Sequence, residues 1–413
     1  MLEKIYHYKS VIQELRRGVL GKHIDCFATY FYELGYARKC LPHRFAVIRS
    51  LSQWLTKKNI SLVGLGEVQL AQFAKFRGKQ TTRFLRRGDR TILSLLINYL
   101  RHEKAIPQPH PVKPENKYVE NITQAYAQHL DEDKGLCAST IKRNKGVVYE
   151  FLTRQFGKER VIFSKITQNK VLSYLSSNKK YQNPKGVQIN ASCLRSFLRY
   201  LVMIGKVRAE LANCIPSMPG WRAAHLPVFL VKSEIKQLLK ACDRRTHTGC
   251  RNYAILFLLV RLGLRASEVI NLSLDDINWE LGELTICGKG RKYRVLPLPA
   301  DVGNALVTYL HRARPKSIDR QVFIRSRAPY KGLSSSSDIT SIVCRALKAA
   351  GLHPKQMGAH LLRYTAAAET LNKGGTLFEI GQLLGHTSVD TTALYTKIDI
   401  TNLRELAQPW LTQ

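Results

Sequence analysis

The stretch Leu384-Gly385-His386-Thr387-Ser388-Val389-Asp390-Thr391-Thr392-Ala393-Leu394-Tyr395-Thr396, inside the longer segment from Gln356 to Lys397, decides how the rest of the chain reads. Leu384-Gly385 reads as a helix end with Gly385 at the C-cap, since a residue without a Cβ takes the left-handed conformation at little cost. Thr391-Thr392 reads as the start of a helix that carries Tyr395. Before it, His360-Leu361-Leu362-Arg363 sits in a helical pattern, where residues three apart share a face. Further upstream stand Gly263-Leu264-Arg265-Ala266-Ser267-Glu268 and, in a hairpin-like turn, Gly288-Lys289-Gly290. Arg265, Lys289, His360, Arg363, His386 and Tyr395 together make a set of side chains suited to an anionic centre.

The series Arg265, Lys289, His360-x-x-Arg363, Gly385-His386 and Tyr395 resembles the tyrosine recombinases, or phage-integrase family, with Xer-like spacing from Arg265 to Lys289 and from His386 to Tyr395. The resemblance covers roughly residues 226 to 400. One position departs from it: Tyr364 stands where the family usually has a His directly after the second Arg.

These residue types suit one reaction. Breaking a phosphodiester without a metal requires positive charge for the non-bridging oxygens, a nucleophile, and a proton for the leaving oxygen. Arg265 and Arg363 answer the first need, because a planar guanidinium grips phosphate oxygens in pairs and keeps its charge. Tyr395 answers the second, and a cationic pocket lowers the cost of its phenolate. His360 fits a base or orienting group. Lys289, at a hairpin tip, fits the acid for the departing 5′ oxygen, the role the resemblance implies for it. His386, after Gly385, fits a hydrogen-bond donor to the phosphate. The implied product is a 3′-phosphotyrosine with a free 5′ hydroxyl, which conserves bond energy, so neither a nucleotide cofactor nor a metal is expected. No Walker A pattern occurs.

Taken singly, each residue has a plainer reading: Arg265 as an ion-pair residue after an apolar helix, His386 as structural, Tyr395 as packing. Order and spacing together favour the catalytic reading. Glu268, Asp275 and Asp276 cluster near one turn and read as structural, without the separated carboxylates of two-metal chemistry.

Composition agrees. The chain has 413 residues, enough for two or three cores, and 65 Lys plus Arg against 30 Asp plus Glu give a formal charge of +35. Polyphosphate is the plainest partner for such an excess. The apolar run Ala254 to Val260 is too short to span a membrane, so no membrane partner is expected. Nine cysteines without a C-x-x-C pair, and an N-terminus without a secretory pattern, lead us to expect reduced thiols and a cytoplasmic protein. Cys242, His247 and Cys250 lack an evident fourth zinc ligand.

The expected fold is mainly α: helical N-terminal DNA-binding domains followed by an α+β catalytic domain with a small antiparallel sheet. Residues 1–106 read as an additional helical basic domain, with an apolar stripe at Phe45, Ile48, Leu51, Trp54 and Leu55. The run from Lys75 to Arg90 carries seven cations and one acid and reads as a DNA-facing loop, with Lys75, Arg77, Lys79, Arg83, Arg86 and Arg87 as phosphate contacts. Pro107 to Pro114 reads as a stiff linker. Residues 117–212 read as a second helical unit, weakly echoing the first, with a helix opening at Ser139-Thr140 and Lys142, Arg143 and Lys145 as DNA contacts. The resemblance implies that this is a SAM-like core-binding domain. A linker around Pro216 to Pro227 leads to the catalytic domain, 226–413. There Ser233 is expected as an N-cap, Leu284–Ile286 and Tyr293–Leu296 as strands, and Val322–Ile324 as a third.

The resulting expectation is a site-specific recombinase serving a mobile element. Its implied partners are double-stranded DNA bearing specific recombination sites, a homotetramer on two such sites, and accessory DNA-bending proteins. Two other readings stand beside it: a type IB topoisomerase-like enzyme, which shares the phosphotyrosine chemistry, and a non-catalytic DNA-binding protein on an integrase scaffold. The tail after Tyr395, with Leu403, Leu406, Ala407, Trp410 and Leu411 at helical spacing, reads as an apolar stripe that needs a groove; the plainer reading folds it back on its own catalytic domain, and the resemblance implies that it docks on a neighbouring protomer.

Overall fold

The computed structural model describes residues 1–80, 87–108, 116–177, 184–216, 228–288, 290 and 292–385. They fall into two units. The first holds described residues of Met1–Pro109, Leu226–Gly288 and Lys292 onward, the second those of His110–His225 together with Gly290.

The N-terminal part of the first unit is helical: α1 (Lys9–Arg17), α2 (Gly21–Glu33), α3 (Leu41–Lys57), α4 (Glu67–Gln80) and α5 (Arg87–His102). The expected stripe is the buried face of α3, where Phe45, Ile48, Leu51, Trp54 and Leu55 join one core with Phe27, Phe31 and Leu100. One expectation changes here. Lys75 to Gln80 belong to α4 and Arg87 opens α5, so both ends of the basic run are helix rather than loop. Phe73 and Phe76 pack on Trp54 and hold the last turns of α4 to the core. Leu34 and Gly35 then meet the loop before Gly332: the Tyr330 N–H donates to Leu34 O at 3.0 Å, and the Tyr330 ring fills the space a Cβ on Gly35 would need.

The second unit contains α6 (Lys117–Glu132), α7 (Ala138–Phe156), α8 (Gln168–Ser177), α9 (Pro184–Met203) and α10 (Ala209–Asn213), around a core of Tyr126, Phe151, Leu152, Phe197 and Leu201. Asn116 caps α6 by accepting from the N–H groups of Tyr118 and Val119. α7 starts a residue before the expected Ser139-Thr140, with Cys137 as its N-cap.

The C-terminal part of the first unit is built on α12 (His247–Leu262), buried along most of its length as its apolar composition requires. Around it lie α11 (Lys232–Lys240), α13 (Ala266–Asn271), α14 (Ala300–Arg312), α15 (Ser336–Ala349), α16 (Ala359–Leu371) and α17 (Leu377–Leu384). Ser233 lies inside α11 and does not cap it. The cap position is Val231, whose N–H is taken by the Glu234 carboxylate at 2.9 Å, a device that needs no hydroxyl.

The small sheet is antiparallel, in the order β1 (Ile277–Asn278), β2 (Glu283–Cys287), β3 (Tyr293–Pro297). β2 and β3 form the expected hairpin, with Ile286 opposite Arg294 and Leu284 opposite Leu296. The third strand is not Val322–Ile324. That segment is fully buried and makes only an isolated bridge from Ile324 to Gly332, while β1 takes the sheet position beside β2. β1 escaped notice because it is two residues long, too short for an alternating pattern, and its turn is held by the Asn278 side chain accepting from Glu280 and Leu281. Lys289, His386, Tyr395 and the tail after it lie outside the described residues.

Candidate active site

Two glycines bring the site together. α12 ends on Gly263 at φ +59° and α17 ends on Gly385 at φ +62°, both in the left-handed region. A Cβ at Gly263 would strike Leu384, so these two helix ends pack closely and glycine is required for space as well as for φ. Arg265 follows two residues after Gly263 as the N-cap of α13, and Arg363 projects from the first turns of α16.

Both guanidinium groups reach the same helix end. Arg363 Nη2 donates to Leu384 O at 2.6 Å and Arg265 Nη2 donates to the next carbonyl, Gly385 O, at 3.2 Å. These carbonyls belong to the end of α17, where the last C=O groups lack intrahelical partners and the helix dipole is negative, so two cations are drawn there. Arg363 Nη1 also donates to Gly263 O at 2.6 Å, tying both glycine corners to one side chain. His386 directly follows this anchored carbonyl pair in sequence.

The two arginines differ in surroundings. Arg363 is buried at 4% exposure, whereas the Arg265 side chain remains 31% exposed. His360, three residues before Arg363, is exposed, so the shared helix face divides into an inner Arg and an outer His. Tyr364 is half-buried and packs beside Ala367, Ala368 and Ile380, filling a hydrophobic neighbourhood with its ring.

Glu268, which reads as structural in the sequence, turns out to hold Arg265 through a partner that the sequence did not indicate. Its side chain is 2% exposed and receives Arg265 Nη1 at 2.8 Å, the Arg265 backbone N–H at 2.8 Å, and Arg294 through Nη1 at 3.1 Å and Nη2 at 3.0 Å. Burial pushes the Glu268 carboxyl up, but the hydrogen bonds from Arg294 and Arg265, with the Arg294 charge, outweigh it and hold the group below its ordinary value. A signal for Arg294 was present in β3, where Tyr293 and Val295 point outward and Arg294 shares the inward face with Leu296. An arginine on the inner face of a strand calls for a buried acid.

The expected DNA contacts differ in their surroundings. Lys75 is exposed and Arg77 half-buried on α4, while the side chains of Lys79 and Arg87, and the whole of Arg83 and Arg86, lie outside the described residues. On α7, Lys142 and Arg143 are exposed, but Lys145 Nζ is already engaged by Glu120 at 2.7 Å and Gln124 at 2.8 Å. Among the described residues no cluster of three or more His, Cys, Asp or Glu could hold a metal ion, and no helix is long and apolar enough to cross a membrane.

Comparison with known proteins places the same residues in context. The model of the phage integrase family matches residues 228–401, the stretch that contains both glycine corners. The protein y4rA of Sinorhizobium fredii, which carries the name integrase/recombinase, is 35% identical over 393 residues, covering 95% of this chain and 95% of its own length. The tyrosine recombinase XerD of Listeria innocua is 28% identical over 292 residues, 69% of this chain and 97% of its own. Among solved structures, the XerH site-specific recombinase in a post-cleavage complex with palindromic difH superposes with a TM-score of 0.54 at 19% identity, over 74% of this chain and 100% of that one. A lambda integrase tetramer bound to a Holliday junction gives 0.51 at 16% identity, over 80% and 90%. At these identities the two structures speak for the fold.

Proposed function

The chain belongs to the phage integrase family and is a tyrosine-type site-specific DNA recombinase, and on that premise we propose that it cleaves and rejoins DNA through Tyr395. The observation that carries this assignment is the convergence of Arg265 and Arg363 on the carbonyls of Gly385 and Leu384, just before His386. Two guanidinium groups fixed at one helix end bring two positive charges together, as the non-bridging oxygens of a single phosphate require.

In the cleavage step the Tyr395 oxygen attacks phosphorus and the bond to the 5′ oxygen breaks. His360 takes the phenolic proton, and Lys289 supplies one to the leaving oxygen. The products are a 3′-phosphotyrosine and a free 5′ hydroxyl, and the reverse reaction with a 5′ hydroxyl from a second duplex completes the exchange. His386 donates to the same phosphate. The residue roles of Lys289, His386 and Tyr395 rest on the sequence pattern and its resemblance.

The partners follow from the relatives: double-stranded DNA carrying recombination sites, and a tetramer of this chain on two of them. The name integrase among those relatives favours a mobile element. We assign residues 226–413 to catalysis, 117–212 to a core-binding domain, and 1–106 to an additional helical domain, each with its own hydrophobic core.

The test is a covalent adduct. Full-length protein is incubated with nicked duplexes tiled across the DNA that flanks its reading frame, and protein–DNA adducts are resolved on denaturing gels. Tyr395→Phe, which removes one hydroxyl and keeps the ring, should bind DNA and form no adduct. An adduct in that variant would assign the nucleophile elsewhere.

A further inference from the structure

The Glu268 carboxylate lies between two guanidinium groups, and only one of them, Arg265, belongs to the proposed phosphate-binding set. We infer that Arg294 is a positioning residue whose charge answers the Glu268 carboxylate, so that Arg265 holds its place without surrendering its own charge. The inference rests on the recombinase reading and concerns how its phosphate site is kept cationic.

The geometry carries the argument. Glu268 is needed where it stands, because one oxygen takes the Arg265 backbone N–H and the other takes Arg265 Nη1, fixing the main chain and side chain of that residue together. Alone, this arrangement would neutralise the arginine it positions: a buried one-to-one ion pair presents little net charge to an incoming phosphate. Arg294 removes the conflict. It meets both Glu268 oxygens through a fork of two bonds at 3.1 and 3.0 Å, the bidentate geometry that makes arginine–carboxylate pairs strong. Two cations and one anion leave one positive charge, and exposure decides where it is felt. The Arg294 side chain is 16% exposed against 31% for Arg265, so the surplus is presented on the Arg265 side.

A further contact binds Arg294 to the site. A Cβ at Gly385 would collide with the Arg294 guanidinium, so the residue preceding His386 is packed directly on it. Arg294 Nε is buried with no hydrogen-bond partner among the described residues, while each Nη donates to a Glu268 oxygen. Arg294 sits on β3, opposite Ile286 of β2 and five residues from Lys289. The counter-charge therefore lies on the strand that follows the proposed general acid in sequence.

Charge balance can be separated from packing by a paired substitution. Arg294→Met keeps a long apolar stem and removes the charge, leaving Glu268 to pair with Arg265 alone. Adding Glu268→Gln removes the excess negative charge while the amide oxygen still accepts from the Arg265 N–H. Two readouts are taken on the full chain: adduct formation on the tiled nicked duplexes, and affinity for inorganic phosphate, measured as protection of Arg265 from phenylglyoxal by peptide mass spectrometry. Arg294→Met should lower both by about tenfold, and the double variant should recover most of the loss, a coupling expected of contacting charges. Arg294→Lys, which keeps the charge, should retain phosphate affinity close to wild type, and it decides the question if the Met variant fails to fold. A double variant no better than Arg294→Met, or Arg294→Lys as weak as Met, would reduce Arg294 to packing and overturn the inference. Absence of any wild-type adduct would instead strike the recombinase reading, while the phosphate measurement still reports on the charge.

Discussion

Arg265 and Arg363 point at neighbouring carbonyls of one helix end, yet the protein holds them in different ways. Arg363 is buried and gives its two Nη atoms to the main-chain oxygens of Gly263 and Leu384. Arg265 is a third exposed and is held largely by a carboxylate, which in turn is held by another arginine. The first is anchored to the backbone, so its position depends on how two helices end. The second is anchored by charge, so its position and its usefulness can be altered separately. One arginine serves packing and chemistry together, whereas the other is tuned by a residue that need not touch the phosphate.

The largest expected effect follows from that contrast. Arg363→Ala strands two buried carbonyls and opens a cavity where two helix ends meet, and should cost about 3 kcal/mol of unfolding free energy as well as abolishing cleavage. Arg265→Ala leaves Glu268 paired with Arg294 and should cost only about 1 kcal/mol while abolishing cleavage as fully. Urea unfolding of both variants, followed with the adduct assay, checks this. Equal losses of stability would dissolve the distinction between backbone anchoring and charge anchoring.

A smaller effect separates the corners by pH. The Glu268 carboxyl is held low in the folded chain, so its contribution is complete above the ordinary glutamate pKa of about 4.3 and is lost as pH falls through the lowered folded value. Glu268→Gln should therefore be less stable than wild type at neutral pH, with the gap closing as the pH falls below that range. The gap between wild type and Arg363→Ala should stay nearly level over the same interval, since carbonyls do not titrate. Thermal midpoints from pH 7 down to pH 3 would show it, and a Glu268→Gln gap that persists into acid would mean that hydrogen bonding rather than ionisation holds Arg265.

Much of the backbone corner was legible in the sequence. An apolar helix closed by Gly263, a second helix closed by Gly385, and His360 with Arg363 on a helix are local patterns, and each became an element at the expected place. The charge corner was not. Glu268 stands three residues from Arg265 and reads as structural, but nothing local shows that a strand 26 residues onward delivers Arg294 to the same carboxylate. That juxtaposition depends on the register of β2 against β3 and on the contact of β2 with α13. The third strand failed for the converse reason: Val322-Phe323-Ile324 has the composition of a strand, yet it is buried in the core without a sheet ladder, with the Phe323 ring stacked on Tyr309 of α14.

The smallest predicted effect carries the same division into the second unit, where charge is either spent within the fold or left over. Lys142 is exposed, whereas Lys145, one turn along the same helix, gives its ammonium to Glu120 and Gln124. A cation that releases counterions on binding DNA must be able to leave its intramolecular partner, and Lys145 would have to give up two contacts to do so. Each neutralised phosphate contributes about 0.9 to the slope of log affinity against log salt, so Lys142→Ala should make that slope shallower by roughly one such step. Lys145→Ala should change it less and instead lower the unfolding midpoint slightly, because Glu120 loses its partner. Binding to a nicked duplex at several salt concentrations distinguishes the two. A larger change in slope for Lys145 than for Lys142 would mean that DNA displaces Glu120, and that an internally paired cation on this helix is a switch rather than a brace.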